Sequence, residues 1–418
     1  MKEDRNPENI RLLTVTDWSF CGVLIGDDLV PVSNPDLGSD PGVYYLRGRV
    51  GAEPGSPDRT EDGSPRGSAA KSEVCISSCN WKTDASEQQQ AERRPSERAE
   101  YVIKQPGWRS CSVIGSNRQV KMSSVQVESI VKEHALIGEG PVWEESDQTL
   151  LFIDIAGQKI HRWSAATNQI HSLKTDDTVG FAVPRRSGGY VAGVGRSIVA
   201  VDWTTQKATS LVNVEEDKPE NRFNDGKVDP TGRLLAGTMR KDAQTAQVKS
   251  GSLYLVNSDL SVTKLLSQVD ISNGMDWTQD LKTFFYIDSL SLSVDAFNYD
   301  SSTGHLGNRQ VVYRMAEGEG LPDGMTLDAD GRLWVACYNG GRVIHIDPAT
   351  GKRLQTVSLP AMKTTSCCFG GPDYSELYVT SASLGLDQSE LQKQPQAGNT
   401  FRVKGLGVKG RPSHSFTG

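Results

Sequence analysis

The chain has 418 residues and a formal net charge of −7 at pH 7, with 36% hydrophobic and 23% charged residues. This is the balance of a water-soluble protein, and its mild acidity, without a dense stripe of lysine and arginine, argues against a nucleic-acid partner. No stretch approaches the roughly 18 consecutive apolar residues that a membrane-spanning helix needs, so no membrane partner is expected either.

Residues 1–121 differ in composition from the rest of the chain. Glycine, proline, serine, glutamate and arginine dominate them, as in residues 51–68 and 86–100. Such a segment cannot bury enough apolar surface to offset its chain entropy, which predicts a disordered extension. Met122 then opens a run that is typical of a protein start. We interpret the upstream stretch as an alternative or mistaken translation start, with a genuine regulatory tail as the other interpretation.

The N-terminal residues and the cysteines indicate the compartment. Residues 1–10 are charged and lack the apolar core of a signal peptide. The seven cysteines are too few and too scattered for a disulfide framework. We therefore expect a cytoplasmic protein, and nothing in the sequence calls for more than a monomer.

From residue 122 onward one pattern recurs: a polar turn followed by a short apolar and aromatic strand. Six copies occur, 40 to 50 residues apart, at residues 148–154, 188–194, 232–238, 282–288, 331–337 and 375–381. Each copy is preceded and followed by a further strand-like run. A repeat of this length carrying three or four short strands is the signature of a propeller. The sequence therefore predicts an all-β domain at residues 122–418, a six-bladed β-propeller.

About ten residues before each repeated strand lies a turn-like phrase. In a propeller the first strand of each blade lines the central channel, so these phrases converge on one space. When the phrases are aligned on their glycines, four carry an oxygen-bearing side chain: Glu139, Asp225, Asn273 and Asp323. One Asn-Gly or Asp-Gly pair alone would indicate only a turn. Four at equivalent positions favour a divalent metal site, because carboxylate and amide oxygens replace the water ligands of a hard cation.

Several longer phrases identify residues 122–418 as resembling the SMP-30/gluconolactonase family along their whole length. The phrases are residues 138–145, 221–230, 270–277, 286–291, 333–344 and 364–371. The resemblance implies a six-bladed propeller with one divalent metal ion in its channel, for which calcium, zinc, manganese and magnesium are all open. It also implies hydrolysis of aldonolactones such as gluconolactone, in the pathway toward ascorbate.

The resemblance assigns roles residue by residue. The implied metal ligands are Glu139, Asn273 and Asp323, and the implied substrate contacts are Arg222 and Asn224. For substrate contact this assignment favours Asn224 over its neighbour Asp225, which we keep as a carboxylate behind the ligands. The family has a glutamate shortly after Gly-Thr-Met. Here Asp242 stands in that place and is one methylene shorter, so its contact with sugar hydroxyls is open.

The implied mechanism makes Asp323 both a metal ligand and the general base that accepts a proton from the attacking water. Arg222 and Asn224 would hold the sugar hydroxyls of a small lactone substrate. Another hypothesis is a calcium-binding regulator that acts on other proteins without essential catalysis. A third, hydrolysis of phosphotriesters on the same propeller, depends on loops at the channel mouth.

Overall fold

The structure is a computed structural model. It describes residues 124–242 and 249–418 throughout, and five short strands before residue 124. The five strands are β1 (Val30–Val32), β2 (Tyr45–Arg49), β3 (Glu73–Cys75), β4 (Ala99–Ile103) and β5 (Cys111–Gly115). The first three form one antiparallel sheet, and the last two pair with each other. The prediction of a disordered extension at residues 1–121 falls mostly outside the described residues and stays a prediction. The chain divides into two units, Met1–Lys121 and Met122–Gly418.

The second unit consists of six four-stranded antiparallel sheets, which are the blades of a propeller. Blade 1 contains β7 (Gly138–Glu144), β8 (Thr149–Asp154), β9 (Lys159–Ser164) and β10 (Ile170–Lys174). Blade 2 contains β11 (Val179–Pro184), β12 (Tyr190–Val194), β13 (Ser197–Asp202) and β14 (Lys207–Asn213). Blade 3 contains β15 (Asn221–Val228), β16 (Leu234–Arg240), β17 (Gly251–Val256) and β18 (Val262–Val269).

Blades 4 and 5 repeat this order. Blade 4 contains β19 (Ser272–Trp277), β20 (Thr283–Asp288), β21 (Ser293–Tyr299) and β22 (Leu306–Arg314). Blade 5 contains β23 (Leu321–Leu327), β24 (Leu333–Tyr338), β25 (Arg342–Asp347) and β26 (Lys352–Ser358). The prediction of an all-β, six-bladed propeller is confirmed, and the six repeated segments are the second strands of the blades.

Blade 6 is built from both ends of the unit. It contains β27 (Thr364–Gly370), β28 (Glu376–Ser381), β29 (Thr400–Lys404) and, as its outer strand, β6 (Gln126–Val131). Strand β6 pairs antiparallel with β29, so the ring is closed by hydrogen bonds between segments far apart in the sequence. One short helix, α1 (Gln388–Lys393), follows β28, and a 3-10 turn (Ser289–Ser291) follows β20.

The apolar core lies between the blades. One cluster joins Leu151 and Ile153 of blade 1 to Ala182 and Ala192 of blade 2, and corresponding clusters join the other neighbouring blades. A single blade therefore cannot bury both of its faces, and each is stable only against its neighbours. The first strands of successive blades contact one another in a ring around the channel.

Candidate functional site

A β-bulge interrupts the first strand of every blade at the same place. The register shifts after Glu139 in β7, after Ser272 in β19 and after Pro322 in β23, and corresponding shifts occur in the other three first strands. A bulge leaves residues unpaired and redirects their side chains. One residue per blade directly follows the residue that pairs with the last residue of the repeated segment. We call these six the ring positions: Glu139, Gly180, Asn224, Asn273, Asp323 and Thr365.

Glu139 and Asp323 form a buried pair of carboxyl groups. Both side chains are buried, and the two carboxyl groups are close enough to influence each other's pKa. Blade 6 separates their two blades, so this interaction crosses the channel. Burial, followed by the charge of Asp225, raises the pKa of Glu139 to about 8. Burial and the charge of Glu139 raise the pKa of Asp323 well above its ordinary value. A bound cation would relieve this repulsion.

Asn273 presents an amide oxygen that lacks a partner. Its Nδ2 donates a hydrogen bond to Ser289 Oγ at 2.9 Å, which fixes the orientation of the amide. Its Oδ1 is buried and has no hydrogen-bond partner in the part of the chain that the structure describes. The next residue, Gly274, lies against the backbone carbonyl of Asp323, so the two ring positions are neighbours. An orphaned buried amide oxygen and two carboxyl groups, all at ring positions, form a donor set that a hard divalent cation takes.

Arg222 and Asn224 form a unit beside the carboxyl pair. Arg222 Nη1 donates to Asn224 Oδ1 at 2.8 Å and to the carbonyl of Phe223 at 2.9 Å. Asn224 Nδ2 donates to the carbonyl of Ser272 at 2.8 Å, which links it to the strand of Asn273. Burial lowers the pKa of Arg222 to about 10 although the charge of Glu139 opposes this shift. The amide of Asn224 is thus engaged in holding the guanidinium, whose other N–H groups remain to bind a ligand.

The pairing register places Asn224, and not Asp225, at the ring position of blade 3. Only one residue is skipped in this bulge, whereas two are skipped in blades 4 and 5, so the alignment on glycines is shifted by one residue here. Asp225 instead lines a cavity of about 370 Å³ in the far half of the channel, together with Lys227 and Asp276. Burial raises the pKa of Asp225 to about 6.

Blade 2 contributes no side chain to the ring. A Cβ atom on Gly180 would lie 2.4 Å from the carbonyl oxygen of Phe223 and 2.8 Å from the amide nitrogen of Asn224. Glycine is therefore required here because the backbone before Asn224 occupies the space that a side chain would need.

Asp242 lies apart from the ring on the surface. Its side chain is 67% exposed, and its carboxylate accepts a hydrogen bond from Arg240 Nε at 2.5 Å. It borders residues 243–248, which lie outside the described part of the chain. The structure thus brings Glu139, Asn273, Asp323, Arg222 and Asn224 together and does not bring Asp242 to them.

Two residues near the ring were missed by sequence reasoning. Ser289 orients the amide of Asn273, and it directly follows the repeated segment that ends at Asp288. Tyr338 ends the second strand of blade 5, and its pKa is raised by burial and by the charge of Asp323. Both follow or end a second strand, so the repeat could have indicated them.

Two features are absent from the described residues. They contain no group of three or more His, Cys, Asp or Glu side chains placed to hold a metal ion. The candidate ligand set differs from such a group because its third member is an amide. No helix among them is both long and apolar enough to cross a membrane.

Comparison with known proteins gives one family. Residues 137–383 match the model described as the SMP-30/Gluconolactonase/LRE-like region. Regucalcin of Danio rerio is 56% identical over 297 residues, which are 71% of this chain and all of that protein. A luciferin-regenerating enzyme superposes with a TM-score of 0.67 at 37% identity, covering 70% of this chain and all of that one. A calcium-binding protein, regucalcin of Agrobacterium tumefaciens, gives a TM-score of 0.65 at 29% identity, covering 69% and 96%.

Proposed function

The chain belongs to the SMP-30/gluconolactonase/LRE-like family, and we propose that it is a metal-dependent lactonase that hydrolyses sugar lactones. The observation that carries this proposal is the unpartnered, buried Oδ1 of Asn273 beside the Glu139–Asp323 pair. Two carboxylates and an amide oxygen provide a charge of −2 and only oxygen ligands, a set suited to calcium, magnesium or manganese that zinc also accepts.

The three ring residues would hold the cation. With three side-chain ligands, Glu139, Asn273 and Asp323, coordination positions would remain for water and for a substrate oxygen. A divalent cation supplies Lewis-acid polarisation of a carbonyl and activation of water when it is bound.

Asp323 would move the proton. Its carboxyl group is buried at a ring position, where an attacking water would lie within reach. A carboxylate held beside a bound water is a suitable general base for it. Asp323 would accept the proton of the attacking water and return it to the hydroxyl group that leaves when the lactone ring opens.

Arg222 would orient the substrate. Two hydrogen bonds from Nη1 fix its guanidinium, so the remaining donors can bind sugar hydroxyls without further ordering. Asn224 would help to bind the substrate in two ways: by contacting it directly and by holding the guanidinium of Arg222. Asp242, if it contacts sugar, would do so from the rim of the site. Preference for aldonolactones, a place in ascorbate synthesis, a cytoplasmic location and a monomeric state stay predictions.

The test is lactone hydrolysis by metal-stripped protein that is re-loaded with calcium, zinc, manganese or magnesium in turn. We expect no turnover of gluconolactone without a cation and recovery with at least one. A metal-free protein that hydrolyses gluconolactone at the loaded rate would contradict the proposal. A protein that binds calcium tightly and stays inactive with every cation and lactone would instead support the second candidate, a calcium-binding regulator. The similarity to regucalcin of Agrobacterium tumefaciens, a calcium-binding protein, favours that candidate.

A further inference from the structure

The second strand of blade 1 ends at a buried aspartate that holds the start of the first strand. Asp154 is the residue paired in register with Gly138, directly before Glu139. Its Oδ1 accepts a hydrogen bond from the backbone N–H of Ile137 at 2.9 Å, and its Oδ2 accepts one from Leu136 at 2.9 Å. The carboxylate therefore binds the N–H groups two and three residues before a candidate metal ligand.

Blade 4 repeats both of these hydrogen bonds, although Asp154 Oδ1 additionally accepts one from the N–H of Gly157 at 2.9 Å. Asp288 pairs in register with Ser272, directly before Asn273. Its Oδ1 accepts from the N–H of Ile271 at 3.0 Å and its Oδ2 from that of Asp270 at 3.1 Å. These N–H groups again lie two and three residues before the candidate ligand.

The residues just before the first strands of blades 1 and 4, 136–137 and 270–271, also form backbone contacts with neighbouring strands. Ile137 forms a β-bridge with Ala382 of blade 6, and Ile271 forms one with Met239 of blade 3. The carbonyls of both isoleucines accept a backbone hydrogen bond from the residue that follows the aspartate. The backbone just before β7 and the backbone just before β19 are thus held by equivalent hydrogen bonds, and these two strands carry Glu139 and Asn273.

The other four blades do not have a carboxylate at this position. The equivalent residues are Val194, Thr238, Cys337 and Ser381. A residue needed simply to close a blade would be expected in all six. The aspartate occurs instead in the two opposite blades whose ring positions are Glu139 and Asn273, and the third candidate ligand, Asp323, has Cys337 there.

From this placement we propose that Asp154 and Asp288 are positioning residues, which fix the strands that present Glu139 and Asn273 to a divalent cation. The inference rests on the proposed metal site and adds the groups that set its geometry. Groups that orient metal ligands without touching the metal typically change affinity by about 10- to 100-fold when they are removed. Because the carboxylate oxygens of both aspartates are bound to backbone N–H groups, their effect is expected on cation affinity first.

The experiment compares Asp288→Asn with a matched control, Asp229→Asn. An asparagine oxygen can accept one N–H, while its amide group repels the second. Asp229 is also fully buried and its Oδ1 accepts two backbone N–H groups, from Thr231 and Arg233, but it follows β15 at the end remote from the ring. Calcium and manganese dissociation constants are measured by calorimetry on the full chain, together with the melting temperature.

We expect Asp288→Asn to raise the dissociation constant about tenfold or more, and Asp154→Asn to do the same. Asp229→Asn should lower the melting temperature while it leaves the dissociation constant near that of the wild type. If Asp288→Asn does not fold, Asp288→Ser replaces it, because serine is tolerated at the equivalent position of blade 6.

The outcomes separate the two claims. Wild-type affinity in Asp288→Asn, or an equal loss in Asp229→Asn, overturns the positioning role and leaves the metal site standing. A wild-type protein that binds neither cation overturns the proposed metal site and this inference together.

Discussion

Asp323 has two proposed roles, metal ligand and general base, which a single substitution can separate. As a proposed ligand it needs an oxygen facing the cation, and as a proposed base it needs a carboxylate. Its buried position opposite Glu139 keeps the side chain fixed, so a replacement of the same shape should occupy the same place.

Asp323→Asn should therefore keep metal binding to within about tenfold and lower kcat by about 100-fold or more, because general bases typically contribute 10²–10⁴-fold. Asp323→Ala should lose both. Steady-state kinetics with gluconolactone and calorimetric cation binding check the pair of variants. Turnover at the wild-type rate in the asparagine variant would show that another group takes the proton.

Asp242 is a separate case because its carboxylate is engaged by Arg240 in an exposed ion pair. A sugar contact would have to compete with that pair. If it forms, its loss removes a charge-assisted hydrogen bond, so Asp242→Ala should raise KM about tenfold and leave the cation dissociation constant unchanged. Arg240→Ala, the matched control, frees the carboxylate and should not raise KM. Unchanged kinetics in Asp242→Ala would mean that the side chain serves only the surface ion pair.

The sequence allowed the ring residues to be located but could not define their register. Glycines that follow the ring residue in blades 4 and 5 align Asn273 with Asp323 correctly. In blade 3 the bulge skips one residue instead of two, so the same rule selects Asp225 when the ring position is Asn224. Bulge size depends on the pairing of two strands and carries no signature within one strand.

At the scale of single elements, the outer half of blade 1 contains a histidine whose burial favours its neutral form. His161 of β9 is buried, stacks on Phe152 with ring centroids 4.8 Å apart, and bonds Ser172 Oγ through Nδ1 at 2.7 Å. Burial lowers its pKa to about 4 from the ordinary 6.5. Because the unfolded chain binds this proton more readily than the folded one, acid favours unfolding.

The free energy of unfolding should therefore be unaffected by His161 above pH 6.5 and should fall by about 3 kcal/mol from this residue as the pH drops from about 6.5 to about 4. His161→Gln removes the titrating group, so its stability should depend less on pH across that window. Urea unfolding at pH 7.5, 5.5 and 4.5 measures the difference, with the exposed His171→Gln as the control. The same pH dependence in wild type and His161→Gln would contradict the assignment.

Some strands and helices could be predicted from the sequence and others could not. The second strands are apolar on both faces because they lie inside the blade, so they stand out as the repeat. Helix α1 has only six residues, fewer than two turns, and no helical period can be detected over that length. Its capping box, Asp387 with Glu390, was the local signal that could have indicated it.

At the scale of the whole molecule, the two ends of the propeller unit have different structural roles. Strand β6 completes blade 6 from the N-terminal side. The sequence could not predict this closure, because the partners of β6 are about 270 residues away and pairing at that distance has no local pattern. The other end, residues 405–418, forms what we call the strap across the end of the channel remote from the ring.

The strap contacts the turns that follow several first strands. The carbonyl of Lys409 accepts from Ala329 N–H in blade 5, Gly410 donates to Tyr374 in blade 6, and Thr417 donates to Gly232 in blade 3. Residues 411–414 line the cavity in the far half of the channel. The strap thus joins blades that are distant along the chain and borders the channel opposite the proposed metal site.

Phe416 anchors the strap, and replacing it should separate stability from function. Its side chain is fully buried in the cluster between blades 2 and 3, and its N–H and carbonyl bond Pro184 and Arg186. Phe416→Ala should cost about 3–5 kcal/mol, as buried phenylalanines generally do. Pro184 lies four positions after Gly180 of the ring, about 13 Å further along β11, so cation affinity should stay unchanged. Chemical denaturation and calorimetry test this together, with the exposed Ser413→Ala as the control. A large loss of cation affinity in folded Phe416→Ala would mean that the strap supports the ring itself, through the first strands that run between them.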